Sequence, residues 1–308
     1  MEKIYKLPPS DLLNDYPTER NLVAFKEFIN SNEFQNFRGD LPIILGKSLN
    51  DGKKIVDLST LPHLLIGGAT GQGLSLFIDC IISSLLFKKY PHELKFAFID
   101  PRDVQFHQYE EISQFMLKID QSIASATDSV KSSQILASIY NEIKFRTELL
   151  NNAKAKNINE YNRLLKDILP NPESDHRYLP RIVLIVYEFQ LIADALGDIF
   201  YENIRKITSQ NNTGIHLILA TQQIHSRQLP CNLRDNFKAR ISFTVQLESD
   251  SIKILGRAGA ENLNGRGEML YKFNDNIERI KGAYIDFNDT LKICEHIKSM
   301  TWPSTSMV

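Results

Sequence analysis

Residues Leu64 to Ser75 read LLIGGATGQGLS. Three apolar residues, Leu64 to Ile66, run as a short buried strand into a loop with glycines at Gly67, Gly68, Gly71 and Gly73. From Ser75 onward, Leu76, Ile78, Ile81, Ile82, Leu85 and Leu86 recur at three-to-four spacing, the mark of a helix with one buried face. A strand, a glycine-rich turn and a helix N-terminus in that order make a phosphate cradle. Glycines let backbone N–H groups converge on an anion, and the helix dipole favours its charge.

The spacing is that of a P-loop, G-x-x-x-x-G-K-[ST], with one letter changed. Gly68, Gly73 and Ser75 stand where the motif asks, and Leu74 stands where it asks for lysine. A dinucleotide-binding turn fits less well, since glycines at 68, 71 and 73 do not give G-x-G-x-x-G. Two readings of the loop stay open: an anion site made by the amides of Gly71 to Ser75, or a strand-to-helix turn that needs glycine for itself.

The 308 residues leave room for one large or two ordinary domains, and 43% hydrophobic with 24% charged residues describes a chain that folds around a core. A net charge of -1 excludes general affinity for polyanions, so any basic site must be local. Cys80, Cys231 and Cys294 are odd in number and far apart, which predicts buried thiols in a reducing compartment and neither a disulfide frame nor a metal site. The start, MEKIYKLPPSDLL, shows no signal-peptide core, and the most apolar helical run, Leu76 to Phe87, contains Asp79 and falls short of the ~20 residues of a membrane span. A cytoplasmic chain is expected.

Residues 1–40 read as a polar arm, or the remnant of a preceding domain, with a helical piece around Leu22 to Ile29. Residues 41–308 read as one domain. Pro42 to Leu58 holds two apolar runs around Asn50-Asp51-Gly52, a hairpin signal. Strands follow at Lys95 to Asp100, Ile182 to Val186, Ile215 to Ala220 and Arg240 to Val245, with further strand pieces at Met269 to Tyr271 and Ile280 to Ile285. Helices are predicted over Val130 to Leu150, near Tyr161 to Ile168, over Ile192 to Ile204, one or two from Asp250 to Leu263, and one from Leu291. Such alternation implies an α/β fold with a mainly parallel sheet flanked by helices, whose ligand sits beyond the carboxyl ends of the strands. The glycine loop, Asp100, Glu188 and Gln222 would meet there.

With these pieces in order, the sequence resembles the motor domain of the FtsK/SpoIIIE DNA translocases, which are hexameric RecA-like P-loop NTPases. The resemblance runs from about Ile44 to Phe287. It is carried by LGKSLNDGKKIVDLSTLPHLLIGGATGQG (45–73), FAFIDPR (96–102), KNINEYN (156–162), IVLIVYEF (182–189), GIHLILATQ (214–222), ARISFTV (239–245) and DSIKILGRAGAENLNGRGEML (250–270).

The departures fall where the chemistry would be. Leu74 replaces the P-loop lysine, Tyr187 precedes Glu188 where the family has an aspartate–glutamate Walker B pair, Gln223 replaces an arginine, and Ile252 replaces another beside Lys253. Phosphoryl transfer rests on neutralising charge around the terminal phosphates. Leucine supplies none, and a neutral phenol does not replace a carboxylate that organises magnesium.

The resemblance therefore implies nucleotide-binding positions at Gly68, Thr70, Gly71, Gln72, Gly73, Leu74, Ser75 and Gln222, a residual catalytic candidate in Glu188, and no metal ligands. A structural carboxylate is the plainer reading of Glu188. His63, His107, His216 and His225 read as packing residues. Arg227, Arg234, Lys238 and Arg240 stand against one acid, Asp235, in a stretch that faces the pore in the family. They are the expected contacts to double-stranded DNA, with a solvated loop as the alternative. Two functions follow. The first is a non-hydrolysing pseudo-ATPase that binds partners, as a homo-oligomer or beside active FtsK-like subunits. The second is an active ATP- and Mg-dependent DNA translocase in which Lys253 or another basic group replaces the missing lysine.

Overall fold

The computed structural model describes residues 5–16, 22–48, 52–168, 177–222 and 230–301. In chain order the first elements are β1 (Val23–Ala24), α1 (Phe25–Ile29), α2 (Asn32–Gln35), β2 (Pro42–Ser48), β3 (Gly52–Asp57), β4 (His63–Gly67) and α3 (Leu74–Leu86). Next come β5 (Leu94–Ile99), α4 (His107–Glu110), β6 (Lys118–Ile119), β7 (Ser122–Ile123), β8 (Ser125–Ala126), α5 (Ser129–Asn152) and α6 (Ile158–Ile168). Then follow β9 (Arg181–Tyr187), α7 (Phe189–Leu196), α8 (Asp198–Thr208), β10 (Ile215–Thr221), α9 (Cys231–Arg234), β11 (Ala239–Phe243), α10 (Glu248–Leu255), β12 (Glu268–Phe273), β13 (Asn276–Tyr284) and α11 (Phe287–Lys298).

The strand that enters the glycine loop lies at the centre of the sheet. β4 pairs in parallel with β10, Leu217 opposite His63, and with β11, Ala239 opposite Leu64. Beyond β10 the parallel set continues through β9, β5 and β8. On the other side, β12, β13, β2 and β3 continue as an antiparallel flank. The architecture is thus α/β, P-loop NTPase-like, with a mixed, mostly parallel sheet between helices.

The two-residue period of the strands divides the core. On β9, Ile182, Leu184 and Val186 pack with α5, α7 and α8, while Val183, Ile185 and Tyr187 pack with α3. β10 repeats the division, with Leu217 and Leu219 on one side and Ile218 and Ala220 on the other. This parity aims Tyr187 at the first turn of α3 and sends the next residue elsewhere.

The N-terminal segment packs on the domain: Tyr5, Phe25, Phe28 and Phe34 are buried in the same cluster as α3, and β1 pairs with β13. The single helix expected over Ile192 to Ile204 is two, because Gly197 (φ 58°, ψ -132°) interrupts it and lets Phe189 stack on Phe200. The helix or two expected from Asp250 to Leu263 are α10, which ends at Leu255 where Gly256 adopts φ 79°, and a short 3-10 helix at Ala260–Asn262. Asn50 and Asp51, at the tip of the predicted hairpin, lie outside the described residues, while β2 and β3 pair antiparallel as expected. Among the described residues no helix is long and apolar enough to cross a membrane.

Candidate functional site

The glycine loop is fastened on both sides. The amide of Ala69 donates to the Thr244 carbonyl at 2.9 Å, and the amide of Gly267 donates to the Gln72 carbonyl at 3.1 Å. A Cβ on Gly68 would lie 2.5 Å from the Cβ of Phe243, and Gly73, at φ 108° before the first turn of α3, lies too near Gly267 for an easy side chain. These glycines serve packing whether or not an anion is bound. Gly68→Val should therefore lower stability by about 1–3 kcal/mol in chemical denaturation, the range for overpacking a close contact. An unchanged midpoint would show that the loop has slack there.

Thr70 and Gly71 are exposed at the crest, Gln72 and Ser75 are half-buried, and Leu74 is 1% exposed, seated in the core with Phe77. Leu74 thus hides its side chain from the cleft. The expected nucleotide positions do converge. Ser75 Oγ lies 2.7 Å from the Tyr187 hydroxyl, and the Gln222 side-chain amide donates to both, at 3.1 Å and 2.7 Å. Burial pushes the pKa of Tyr187 up to about 12, with Glu188 and Asp100 adding to it against the Ser75 hydrogen bond. The phenol is neutral at pH 7.

In P-loop enzymes the Ser or Thr of the loop and the Walker B carboxylate hold magnesium together. Here a hydroxyl, a neutral phenol and an amide occupy that corner. The carboxylates nearby are engaged elsewhere. Asp100 accepts from the amides of Arg102, Val104 and Gln105 at 3.0, 2.8 and 2.8 Å, so it shapes its own turn. Glu188 is fully buried in a left-handed conformation (φ 49°), and its Oε2 accepts from the Gln222 amide at 3.0 Å and from Thr221 Oγ1 at 3.2 Å. Its Oε1 has no hydrogen-bond partner and faces the Arg102 guanidinium at 3.8 Å. This donor set does not fit Mg²⁺, a hard cation that takes carboxylate and phosphate oxygens. Among the described residues no group of three His, Cys, Asp or Glu side chains could hold a metal ion.

Two features of the site were missed in the sequence. Arg102, inside the quoted block FAFIDPR, is the cation beside Glu188. A cavity of about 550 Å³ beside Gly71 and Gly73 is bordered by Phe243, Arg266, Lys281 and Tyr284. The run GRG at 265–267 was the available signal, because it marks a backbone that turns closely against a neighbour. Lys253, the replacement cation suggested by the sequence, is instead paired with Asp250 at 2.9 Å.

The histidines His63 and His216 are core residues. His63 Nδ1 accepts the Leu217 amide at 3.1 Å, and burial lowers its pKa to about 4; burial and then Arg181 lower that of His216 to about 3. Of the cations read as DNA contacts, Arg240 requires correction. It is 7% exposed, and its guanidinium donates to Phe237 O, Leu255 O and Asp235, joining β11 to the end of α10. Arg234 is tied to Ile252 O at 3.1 Å, Lys238 is exposed, and Arg227 and His225 lie outside the described residues.

Residues 24–266 match the family model described as the FtsK/SpoIIIE family. The chain is 33% identical over 290 residues to DNA translocase FtsK of Treponema pallidum (strain Nichols), covering 92% of this chain and 35% of that protein. It is 33% identical over 280 residues to DNA translocase SpoIIIE of Bacillus subtilis (strain 168), covering 90% and 35%. The chain thus spans about a third of the length of these relatives. Among solved structures it is similar to the pCW3 conjugation coupling protein TcpA, solved as a monomer with ATPgS (TM-score 0.71, 19% identity, 92% of this chain and 75% of that one). It is also similar to the cytoplasmic domain of the type VII secretion ATPase EccC of Thermomonospora curvata (TM-score 0.68, 20% identity, 95% and 33%).

Proposed function

The chain belongs to the FtsK/SpoIIIE family, and from that premise we propose that it is a pseudo-ATPase of the family, keeping the motor fold without the hydrolytic step. One observation carries this reading: Ser75, Tyr187 and Gln222 form a closed, uncharged hydrogen-bonded triangle where magnesium would be organised. Leu74, its side chain buried in the core with Phe77, adds no charge to oppose the terminal phosphates. Gly68, Thr70, Gly71, Gln72 and Gly73 then act as a scaffold, and Glu188 holds the β9 and β10 ends together through Thr221 and Gln222. Calorimetric titration with Mg-ATP tests the reading. Binding in the micromolar range with DNA-stimulated turnover would overturn it.

A second reading is favoured by the 33% identity to proteins named DNA translocases and by Arg266 and Lys281 beside the glycine loop. In it the chain is an ATP-dependent translocase whose missing lysine is replaced by one of these cations. In both readings the partner is duplex DNA, held by its phosphates through Arg227 and the exposed Lys238, in a homo-oligomer or beside active family members. Arg227→Glu with Lys238→Glu should weaken binding to a random duplex about tenfold or more at low salt and reduce the salt slope by about 2. A mobility shift unchanged in both respects would reject DNA contact there.

A further inference from the structure

At the end of the sheet away from the glycine loop, beside the first residues of β5 and β9, lies a cavity of about 700 Å³. β5 explains its charge. Phe96 and Phe98 face one core, and the alternate positions Ala97 and Ile99 face the other. Lys95 continues that second row, so a lysine stands at the lip of the core where an apolar side chain would extend the pattern. Its ammonium donates to Gln114 O at 2.5 Å, and the Gln114 side chain is in turn anchored to Ile297 O at 2.9 Å. Lys95 is thereby held in place with one carbonyl for three donors.

The surrounding groups are of the same sign. Lys118, on β6, comes close enough to repel Lys95, and burial first, then this repulsion, brings the pKa of Lys95 down to about 8. Arg146, on α5, is 1% exposed and fully engaged, with Glu142 at 2.8 Å, Pro180 O at 2.7 Å and Thr213 O at 3.0 Å. Glu142 is the one acid among the described lining residues, and that bond occupies it. Arg177 adds a further cation at the rim, over the ring of Phe145. Clefts lined by one sign of charge with low-dielectric walls concentrate the field and draw a counter-ion. The rest of the lining mixes Ser113, Gln114 and Ser138 with the half-buried Leu117 and Ile119, and the ring of Tyr178 stands 46% exposed at the edge.

We propose that this cavity is a second ligand site, taking a phosphate monoester of mononucleotide size with its anionic group between Lys95 and Lys118 and its ring against Leu117 and Tyr178. The cations account for the charge, and Leu117 and Ile119 with the exposed Tyr178 ring account for the organic body. The site is separate from the glycine loop and does not depend on whether that loop binds nucleotide.

Isothermal titration of the full chain with uridine monophosphate, and separately with inorganic phosphate, tests the assignment. Saturable binding is expected for the nucleotide, at least tenfold tighter than for phosphate, weakening as sodium chloride is raised. Lys118→Ser, at an exposed position, and Lys95→Met should each weaken it tenfold or more, and Tyr187→Phe in the other cleft should leave it unchanged. If Lys95→Met fails to fold, Lys118→Ser decides alone. No saturable heat with either probe, an affinity indifferent to Lys118→Ser, or equal affinity for phosphate and nucleotide would each overturn the proposal.

Discussion

The Leu74→Lys, Tyr187→Asp double variant is expected to bind Mg-ATP at least ~10³-fold more tightly than the unchanged chain, a difference of about 4 kcal/mol. Each substitution supplies one missing charge. Lysine at the first residue of α3 reaches from the loop toward the terminal phosphates, and aspartate in place of the phenol gives magnesium a carboxylate next to Ser75. Either change alone should recover only part of the effect, because ion and ammonium neutralise the same oxygens. Without nucleotide the lysine should cost about 2 kcal/mol of stability, since Leu74 is buried in the core around Phe77. Nucleotide should offset that loss, so a thermal shift with Mg-ATP larger in the variant than in the parent is the second readout. Equal affinities in parent and variant would mean that the cleft recruits its charge elsewhere, with Arg266 and Lys281 the first cations to test.

Asp79→Asn is expected to remove a pH dependence of stability that spans roughly pH 4 to 7. Asp79 sits inside α3, where burial raises its pKa to about 7 against the hydrogen bonds from Tyr109 and Gln105. Because the folded value lies above the unfolded one, the protonated acid is favoured by folding. The contribution is fully present below about pH 4, falls as pH rises to 7, and is flat above it. The gap corresponds to about 4 kcal/mol at most. Asparagine keeps an oxygen for Tyr109 and Gln105, at 2.8 and 3.0 Å in the parent, and does not ionise. The variant should match the parent near pH 4 and exceed it by about 2–4 kcal/mol at pH 8. His63 and His216, whose lowered values make acid destabilising, act equally in both proteins and cancel in the difference. Parallel stability curves across the range would show that Asp79 is not buried as an acid. The effect reaches the site, since Gln105 also donates to the Ser75 carbonyl at 3.2 Å.

The elements around the loop were legible because their signals are local. The run IVLIV could only be a buried strand, and the glycines between an apolar strand and an apolar-faced helix could only be a turn. The helix break at Gly197 was less legible, since Ile192, Leu196, Phe200 and Ile204 keep helical spacing across it. Arg240 was misjudged for the same reason. A cation in a basic stretch looks exposed until the strand parity and the end of α10 are known.

The sequence by itself determined the α/β order, the strand–loop–helix corner, and the absence of charge at positions 74 and 187, because these depend on periodicity and on residue chemistry. It could not place Tyr187 against Ser75, turn Glu188 inward to Thr221 and Gln222, or bring Lys118 beside Lys95. Those neighbours are far apart along the chain, and only the register of the parallel strands and the packing of helices on both faces set the distances between them. Hydrogen bonding and repulsion fall off over a few ångströms, so what each group does was decided there.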